Sequence, residues 1–440
     1  MQLAFATAAA LLLAGVALRA GLRILAALHI PAAVMAGAIG LLLVQLGVGS
    51  GLATTVLPHW TAWRDALVPI IFAGLLLDSP SRRPDSGDAR AVTQQAIAAW
   101  IVILGQLALG LLAGWIVLSP VFGVSAHFGQ LLEVSWAGGF GSSAAWGQQH
   151  ESLGEFPQAR DLAVFFATAG LVWGVVSGMV IVNIGIRRGW TGTPAAQLDR
   201  DIDAAPAVHA QAGAIEPLTL QLIWLAAAFT VGIGLQWCVG QSVAWLDPQH
   251  PARQALGKLP LFMFTMMGGW LVCRALRLLR MDHLLDAALL SRVIGGALDV
   301  LIFTAVATLS LRAVAAHLPA AGVLLAIGAA WTVFTVFWLS PRLLPRRCWF
   351  ELGILNYGFA TATTAQGMML LRMIDPHLKS DAAKIYALAA PATAMFIGGG
   401  VLTYLVPIAI ARGWIGLVIL AAGTGAGVLY FLGRRLHRGG

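Results

Sequence analysis

Charged residues are scarce in this sequence: only 10% of its 440 residues are Asp, Glu, Lys or Arg, against roughly 25% in soluble proteins. A soluble chain of this length needs a charged surface that such a composition does not supply. Hydrophobic residues make up 59% of the chain, and the mean hydropathy is +0.83. The sequence therefore predicts an integral membrane protein, whose length counts apolar spans of about 20 residues rather than soluble domains.

The sequence has only three cysteines and none of the common catalytic motifs. The three cysteines are scattered, with no metal-ligand spacing. The sequence contains no Walker A, HExxH or GxSxG pattern. It therefore predicts no catalytic residues, no bound metal and no organic cofactor. The net charge of +8 is spread between apolar runs rather than gathered in one patch, which argues against nucleic acid and leaves the lipid bilayer as the expected partner.

Long apolar runs predict an all-α polytopic membrane protein with about eleven transmembrane helices. The runs lie at 2–18, 30–49, 66–78, 94–118, 162–186, 218–240, 258–280, 293–315, 320–340, 384–410 and 414–433. Two further runs, 131–148 and 350–371, are rich in Gly, Ser, Thr and Ala. Broken segments of this kind are tolerated at membrane depth only where protein or a cavity shelters the backbone. We therefore expect both to be re-entrant hairpins.

The positive charges predict the orientation. With the N-terminus outside and the C-terminus cytoplasmic, all but six of the 27 Lys and Arg residues fall in cytoplasmic segments, as the positive-inside rule requires. The six on the outer side are Arg64, Arg160, Arg253, Lys258, Arg312 and Arg412. The first positive charge, Arg19, follows the first apolar run instead of preceding it, so we expect an uncleaved first span rather than a signal peptide.

The chain divides into two predicted halves of opposite orientation. The N-terminal half covers 1–190 with its hairpin near 131–148, and the C-terminal half covers 217–410 with its hairpin near 350–371. A cytoplasmic linker, 191–216, separates them, and 411–440 adds one span and a basic tail. An odd number of spans in each half makes the repeat an inverted one, a plan that recurs in transporters.

The two hairpins also resemble each other in sequence, which points to a site between them. The first reads GFGSSAA from Gly139 and the second GFATATT from Gly358. Hydroxyls and free carbonyls can replace the hydration shell of Na⁺, helix N-termini attract anions, and glycines allow close approach. The predicted substrate-binding residues are Gly139, Gly141, Ser142, Ser143, Asn356, Gly358, Thr361, Thr363, Thr364 and Gln366. The predicted ion-coupling residues are Asp299, Ser142 and Thr363.

Three segments carry a resemblance to a known family: IPAAVMAG from Ile30, GGFGSSAAW from Gly138, and NYGFATATTAQG from Asn356. In these segments the chain resembles the bacterial sodium/glutamate symporter family. The resemblance implies a homodimeric carrier of the bacterial inner membrane, working by an elevator-type alternating-access mechanism. It implies symport of glutamate or a related small anionic solute, coupled to a cation, with Na⁺ favoured over H⁺.

The sequence departs from the family pattern at several positions of the expected site. Phe140 replaces a usual His, the second hairpin lacks a Pro and a Gly, and Phe396 to Gly400 contain no acidic residue. These departures motivate an alternative function, a passive channel or exporter without Na⁺ coupling. A non-transporting sensor or scaffold is a further hypothesis, weakened by the lack of a soluble signalling domain.

Several polar residues allow more than one interpretation. Asp299 is either an ion or proton site or an interfacial residue paired with Arg292 or an adjacent arginine. Arg372 either meets a substrate carboxylate, extends to the cytoplasmic surface or pairs with Asp375. Asn356 and Gln366 either bind an amino-acid substrate or join helices. Glu133 and His150 flank the first hairpin, and we expect both to be solvated.

Overall fold

The computed structural model describes residues 1–22, 30–45, 50–77, 89–154, 156–191, 216–245, 259–375, 380–393 and 396–438. Within these ranges the chain is helical and contains no strand. The longest predicted polar segment, the 191–216 linker, lies almost wholly outside the described residues.

Sixteen helices carry the fold of the described residues, and their positions follow the apolar runs. They are α1 (Gln2–Gly21), α2 (Ala32–Gln45), α3 (Ser50–Leu75), α4 (Ala89–Phe122), α5 (Gly139–Leu153), α6 (Ala159–Arg187), α7 (Pro217–Ala244), α8 (Leu261–Leu278), α9 (Ala287–Ala307), α10 (Leu311–Ala316), α11 (Leu318–Leu343), α12 (Trp349–Thr361), α13 (Thr364–Ile374), α14 (Ala382–Ala389), α15 (Val401–Ala411) and α16 (Ile415–Arg438).

Eight of these helices are long and apolar enough to cross a membrane, counted over the described residues: α1, α4, α6, α7, α8, α9, α11 and α16. Two shorter apolar helices, α2 and α15, do not reach that length. The chain is therefore a multi-pass membrane protein. The expected count of eleven spans, and the re-entry of the two hairpins into the bilayer, stay predictions.

The run at 384–410 is not one helix, contrary to the expectation of a continuous span. Helix α14 ends at Ala389, a 3₁₀ turn covers Ala390–Ala392, and α15 begins only at Val401. Gly398 and Gly399 in between adopt positive φ angles of 63° and 98°. Such angles are open to glycine and strained for other residues, so no helix runs through Gly398 and Gly399 although the hydropathy of the run predicts one.

The chain forms two compact units, and both hairpins belong to the larger one. This unit comprises 1–66, 81–190 and 299–440, and the smaller comprises 67–80 and 191–298. The division follows proximity in space rather than order along the chain. The two consecutive halves expected from the sequence stay a prediction.

Small residues determine how helices pack in each unit. In the larger unit, a Cβ at Gly37 of α2 would lie only 2.9 Å from the Phe303 carbonyl oxygen on α9. In the smaller unit, a Cβ at Gly232 of α7 would lie 2.5 Å from the Thr265 Cα on α8. Lipid gives helices little hydrophobic reason to associate, so close backbone approach through small residues drives their packing. The IPAAVMAG motif is therefore a packing surface.

Candidate functional site

The first hairpin consists of a π turn at Leu132–Ala137 and helix α5, with the break at Gly138 and Gly139. Its two arms fold back on each other. Trp146 Nε1 donates a hydrogen bond of 3.0 Å to Gln130 Oε1. The His127 and His150 ring centroids lie 4.5 Å apart. Both pairs are centred on the break, so the chain reverses direction there.

The second hairpin consists of α12 and α13, joined by Ala362 and Thr363. Its arms are packed so closely that a Cβ on Gly358 would overlap the backbone of Gly367. The Thr363 side chain caps α13 by accepting a hydrogen bond of 3.3 Å from the Gln366 backbone N–H. The hairpin is thus closed by glycine contacts between its arms and by a threonine cap at its tip.

The tips of the two hairpins touch. Gly139 has a φ of +69°, and a Cβ there would lie 2.7 Å from the Ala362 carbonyl oxygen and 3.2 Å from Thr363 Cγ2. Helices α5 and α13 both begin at these breaks, so two helix N-termini converge. The partial positive charge of each N-terminus is directed to the same place.

Helix α6 runs past both tips. A Cβ on its Gly170 would lie 2.5 Å from the Thr361 carbonyl oxygen and 2.9 Å from the Trp136 carbonyl oxygen. Thr361 is the last residue of α12, and Trp136 lies two residues before Gly138, where the first break begins. On the side of the site that α6 forms, Gly170 therefore lies beside two backbone carbonyl oxygens that can accept hydrogen bonds.

The serines of the first hairpin donate their hydroxyl protons to their own helix. Ser142 Oγ donates to the Gly138 carbonyl at 3.0 Å, and Ser143 Oγ donates to the Gly139 carbonyl at 2.7 Å. Both side chains are buried. Each hydroxyl keeps lone pairs that can accept, so the geometry leaves these oxygens suited to a cation or a donor rather than to an anion.

The threonines of the second hairpin have different environments. Thr361 Oγ1 donates to the Tyr357 carbonyl at 2.8 Å and lies 3.3 Å from Gln366 Nε2. Thr364 is exposed, and its Oγ1 lies 3.3 Å from the Tyr386 hydroxyl. Thr361 therefore faces the protein interior, whereas Thr364 has an open side.

Asn356 is paired with another side chain. Gln95 Nε2 donates to Asn356 Oδ1 at 2.6 Å, and Asn356 Nδ2 donates back to Gln95 Oε1 at 3.2 Å. This reciprocal amide pair joins α12 to α4, as the helix-joining interpretation expects. Gln366 differs, since its buried Oε1 has no hydrogen-bond partner among the described residues and remains available to a ligand.

The remaining predicted site residues are placed at varying distances from the tips. Gly141 lies on the first turn of α5, and Gly358 lies between the arms of the second hairpin. Asp299 is exposed on α9, and no hydrogen bond or ion pair joins it to either hairpin in the described part of the chain. Arg372 is exposed in the last turn of α13, away from the N-terminal tip.

Glu133 contradicts the expectation that it is solvated. It is 2% exposed and lies in the π turn of the first hairpin. Its Oε1 accepts a hydrogen bond of 2.6 Å from Thr403 Oγ1 and one of 3.2 Å from the Gly398 N–H. Glu133 therefore joins the first hairpin to the break between α14 and α15.

The same break contacts Ser142. The φ of Gly399 is +98°, and a Cβ there would overlap Ser142 Oγ. The Gly399 N–H donates to Thr403 Oγ1 at 3.1 Å. One of the predicted ligand residues thus packs on the segment that Glu133 holds, a relationship that the glycine run at 398–400 could have suggested but that sequence reasoning missed.

Three fully buried glutamines, which the sequence does not distinguish, donate hydrogen bonds to backbone carbonyls of α12 and α15. Gln106 Nε2 donates to the Ala360 carbonyl at 2.8 Å, where the break of the second hairpin removes the usual helical partner. Gln130 Nε2 donates to the Thr403 carbonyl at 2.6 Å, because Pro407 has no N–H to donate. Gln149 Nε2 donates to the Tyr404 carbonyl at 2.7 Å. Side-chain amides here replace the water that lipid excludes.

His150 is also buried, against expectation. It is 1% exposed, and neither ring nitrogen has a hydrogen-bond partner among the described residues. Its ring packs on Trp146 with centroids 4.1 Å apart. The imidazole is surrounded by aromatic rings and fills space between the hairpin arms.

Residues 1–342 match the family described as sodium/glutamate symporter. The match confirms the resemblance seen in the sequence. It includes the first hairpin and ends before the second. No curated protein matches the chain.

Proposed function

The chain belongs to the sodium/glutamate symporter family, and from that premise we propose that it moves glutamate or a related small anionic solute together with a cation, Na⁺ in preference to H⁺. The site is the contact between the two hairpin tips. The proposed carrier is a homodimer of the bacterial inner membrane with its N-terminus outside, and it works by an elevator-type movement of the hairpins.

The observation that carries this proposal is the meeting of the tips at Gly139 and Ala362. Two helix N-termini converge there, and N-terminal N–H groups bind carboxylates because they are unpaired donors at the positive end of a dipole. Each terminus suits one carboxylate of a dicarboxylate. Broken helices at membrane depth are tolerated where protein or a cavity shelters their backbone, and in transporters they form the substrate and ion sites.

The rest of the tip region suits the other parts of such a solute. The Trp136 and Thr361 carbonyls beside Gly170 are acceptors for an ammonium group or a cation, and Gln366 Oε1 is a further acceptor. An anion is expensive to bring into low dielectric without a counter-charge. A co-bound cation on the carbonyls and hydroxyls removes that cost, which is a physical reason for coupling.

Uptake into proteoliposomes tests the proposal. The purified chain is reconstituted, and entry of labelled glutamate is followed with an inward Na⁺ gradient, with equal Na⁺ on both sides, and with K⁺ replacing Na⁺. Accumulation above equilibrium only with the gradient supports symport. Protein-free vesicles give the background. Flux that is equal in all three conditions would exclude coupling to Na⁺, and entry that stops at equilibrium under a proton gradient as well would establish the passive channel instead.

The solute class needs its own measurement. Thermal unfolding of the purified chain in detergent is followed with amino acids and dicarboxylates, each in Na⁺ and in K⁺. A ligand that binds only the folded state raises the unfolding temperature. Stabilisation by glutamate or a dicarboxylate, larger in Na⁺, is expected. Stabilisation by uncharged solutes alone contradicts the anionic class.

A further inference from the structure

Glu133 is a buried carboxylate, and across the described residues no ion pair joins it to a Lys, Arg or His. Its Oε1 accepts hydrogen bonds from the Thr403 hydroxyl and the Gly398 N–H. Its Oε2 is buried and makes no hydrogen bond in the same part of the chain, although the Gln130 side-chain amide lies beside the carboxyl. An ionised carboxylate in such a position is strongly disfavoured unless a positive charge joins it.

The space next to Glu133 is apolar. A cavity of about 260 Å³ adjoins Glu133 and Thr403, and its other walls are aliphatic side chains of α4, α15, α16 and Ile397. The titratable group that faces Glu133 from α15 is the Tyr404 hydroxyl, and the described walls of α4 and α16 contribute none. Among the described residues that line this cavity, Glu133 is thus the one ionisable side chain.

The surroundings of Glu133 favour a proton over Na⁺ as the cation that binds there. Na⁺ replaces its hydration shell with several oxygens, and the described lining of the cavity offers only the Glu133 and Thr403 side chains as polar groups. A proton needs a single lone pair, which Oε2 has. We propose that Glu133 binds a proton on Oε2 and releases it in each transport cycle, so that a proton accompanies the solute. This site is separate from the hairpin tips, where hydroxyls and carbonyls suit Na⁺.

A chain of contacts links Glu133 to the first hairpin tip. The Gly399 N–H donates to Thr403 Oγ1, which donates to Glu133 Oε1, and Gly399 packs on Ser142. Hydrogen bonds to a charged acceptor are about twice as strong as those to a neutral one. Protonation of Glu133 therefore loosens its hold on Gly398 and Thr403, and with it the position of Ser142 at the first tip.

The proposal rests on the proposed function, and Glu133→Gln tests it separately. Gln has the same shape, keeps an acceptor for Thr403 and cannot take a proton. In proteoliposomes at constant Na⁺, the unchanged chain accumulates solute faster under an inward proton gradient. E133Q is expected to lose that stimulation by about tenfold or more, measured as the ratio of uptake with the proton gradient to uptake without it, so that a change in basal uptake cancels.

Controls make the result specific. Glu216→Gln makes the same chemical change at an exposed residue that caps α7, and it should keep the full response to the proton gradient. Size-exclusion elution and thermal unfolding show whether each variant is folded. An E133Q protein that still responds to the gradient, or an unchanged chain that transports without any response, would overturn the proposal. If the unchanged chain transports no solute under any condition, that result would instead overturn the proposed function.

Infrared difference spectroscopy supplies a readout that needs no transport. A protonated carboxyl has its own C=O band. This band should disappear as the pH of the unchanged chain is raised, be missing from E133Q, and be present in E216Q. Absence of such a band from the unchanged chain at every pH contradicts the proposal even if E133Q does not fold.

Thr403 provides a second variant, as a positioning residue. Thr403→Val removes the hydroxyl that donates to Glu133, and Thr403→Ser retains it. Loss of a donor to the charged form favours the protonated form. The pH at which the carboxyl band titrates should therefore move upward in T403V and stay in place in T403S. An unmoved midpoint in T403V would show that Thr403 does not control the site.

Discussion

Gly139 and Ala362 lie so close that a Cβ on the glycine would stand 2.7 Å from the alanine carbonyl oxygen. They are separated by about half of the 440-residue chain, and each marks the break of its own hairpin. The closeness of these two backbones, rather than a particular side chain, forms the candidate site. Glycine is required at this position twice over, by its positive φ and by the neighbouring carbonyl.

Gly139→Ala is expected to abolish solute uptake. The added methyl group forces the tips apart and also strains a backbone with φ of +69°. Gly154→Ala is the matched control, because Gly154 has a φ of +72° and a Cβ there would meet no atom of the described residues within 4 Å. Both variants carry the conformational penalty of about 1 kcal/mol, which thermal unfolding measures. Equal transport by the two variants would show that the tip contact is unimportant.

The Gln95–Asn356 pair predicts a stability effect without an effect on solute affinity. Asn356→Leu leaves the Gln95 amide buried without its partner and should cost about 1–3 kcal/mol. The double change Gln95→Leu with Asn356→Leu should recover most of that loss, since neither amide remains. Thermal unfolding and the KM for uptake are measured on both. A raised KM that persists in the double variant would restore Asn356 as a substrate ligand.

Helix α6 predicts a graded effect along one face. A Cβ at Gly174 would overlap Gln366 Nε2 and Thr361 Oγ1, whereas a Cβ at Gly178 meets the Leu370 side chain. Gly174→Ala should reduce uptake strongly because it displaces two residues of the site. Gly178→Ala should cost only the roughly 1–3 kcal/mol of an overpacked contact and leave the KM unchanged. The reverse order of effects on uptake would place the site elsewhere.

Cysteine labelling tests the opposite orientation of the hairpins. In a background with Cys238, Cys273 and Cys348 replaced, Gly154→Cys places a thiol after the first hairpin and Asp381→Cys one after the second. A membrane-impermeant reagent should label position 154 in intact cells and position 381 only after permeabilisation. The Asp381 ion pair with Arg347 is exposed, so its loss should matter little. Labelling of both positions from one side contradicts the inverted repeat.

The sequence could predict where helices lie, because lipid requires continuous apolar side chains and these are visible as runs. It could also predict that the chain breaks near 138 and near 362, since glycine and hydroxyl residues interrupt the apolar runs there, whereas the re-entry of either hairpin into the bilayer stays a prediction. It did not predict the break before Val401. Hydropathy measures side chains, and Phe396 and Ile397 are apolar even where the backbone leaves the helix.

The surroundings of Glu133 could not be read from the sequence either. Its neighbours along the chain suggest the edge of a hairpin, and its burial comes from α15, about 270 residues later. The same is true of Gln106 and Gln130, whose partners are carbonyls on distant helices. A sequence shows which polar groups exist, but the broken backbone that each one satisfies is a property of the packed molecule.

The gap between α14 and α15 has a consequence for measurement. The Gly398 and Gly399 amide protons are held by the side chains of Glu133 and Thr403 rather than by a helical ladder. Their exchange with deuterium from solvent should therefore depend on the charge of a residue in the first hairpin. Deuterium exchange at these two glycines, measured by mass spectrometry, would therefore report the charge of Glu133 without any attached label.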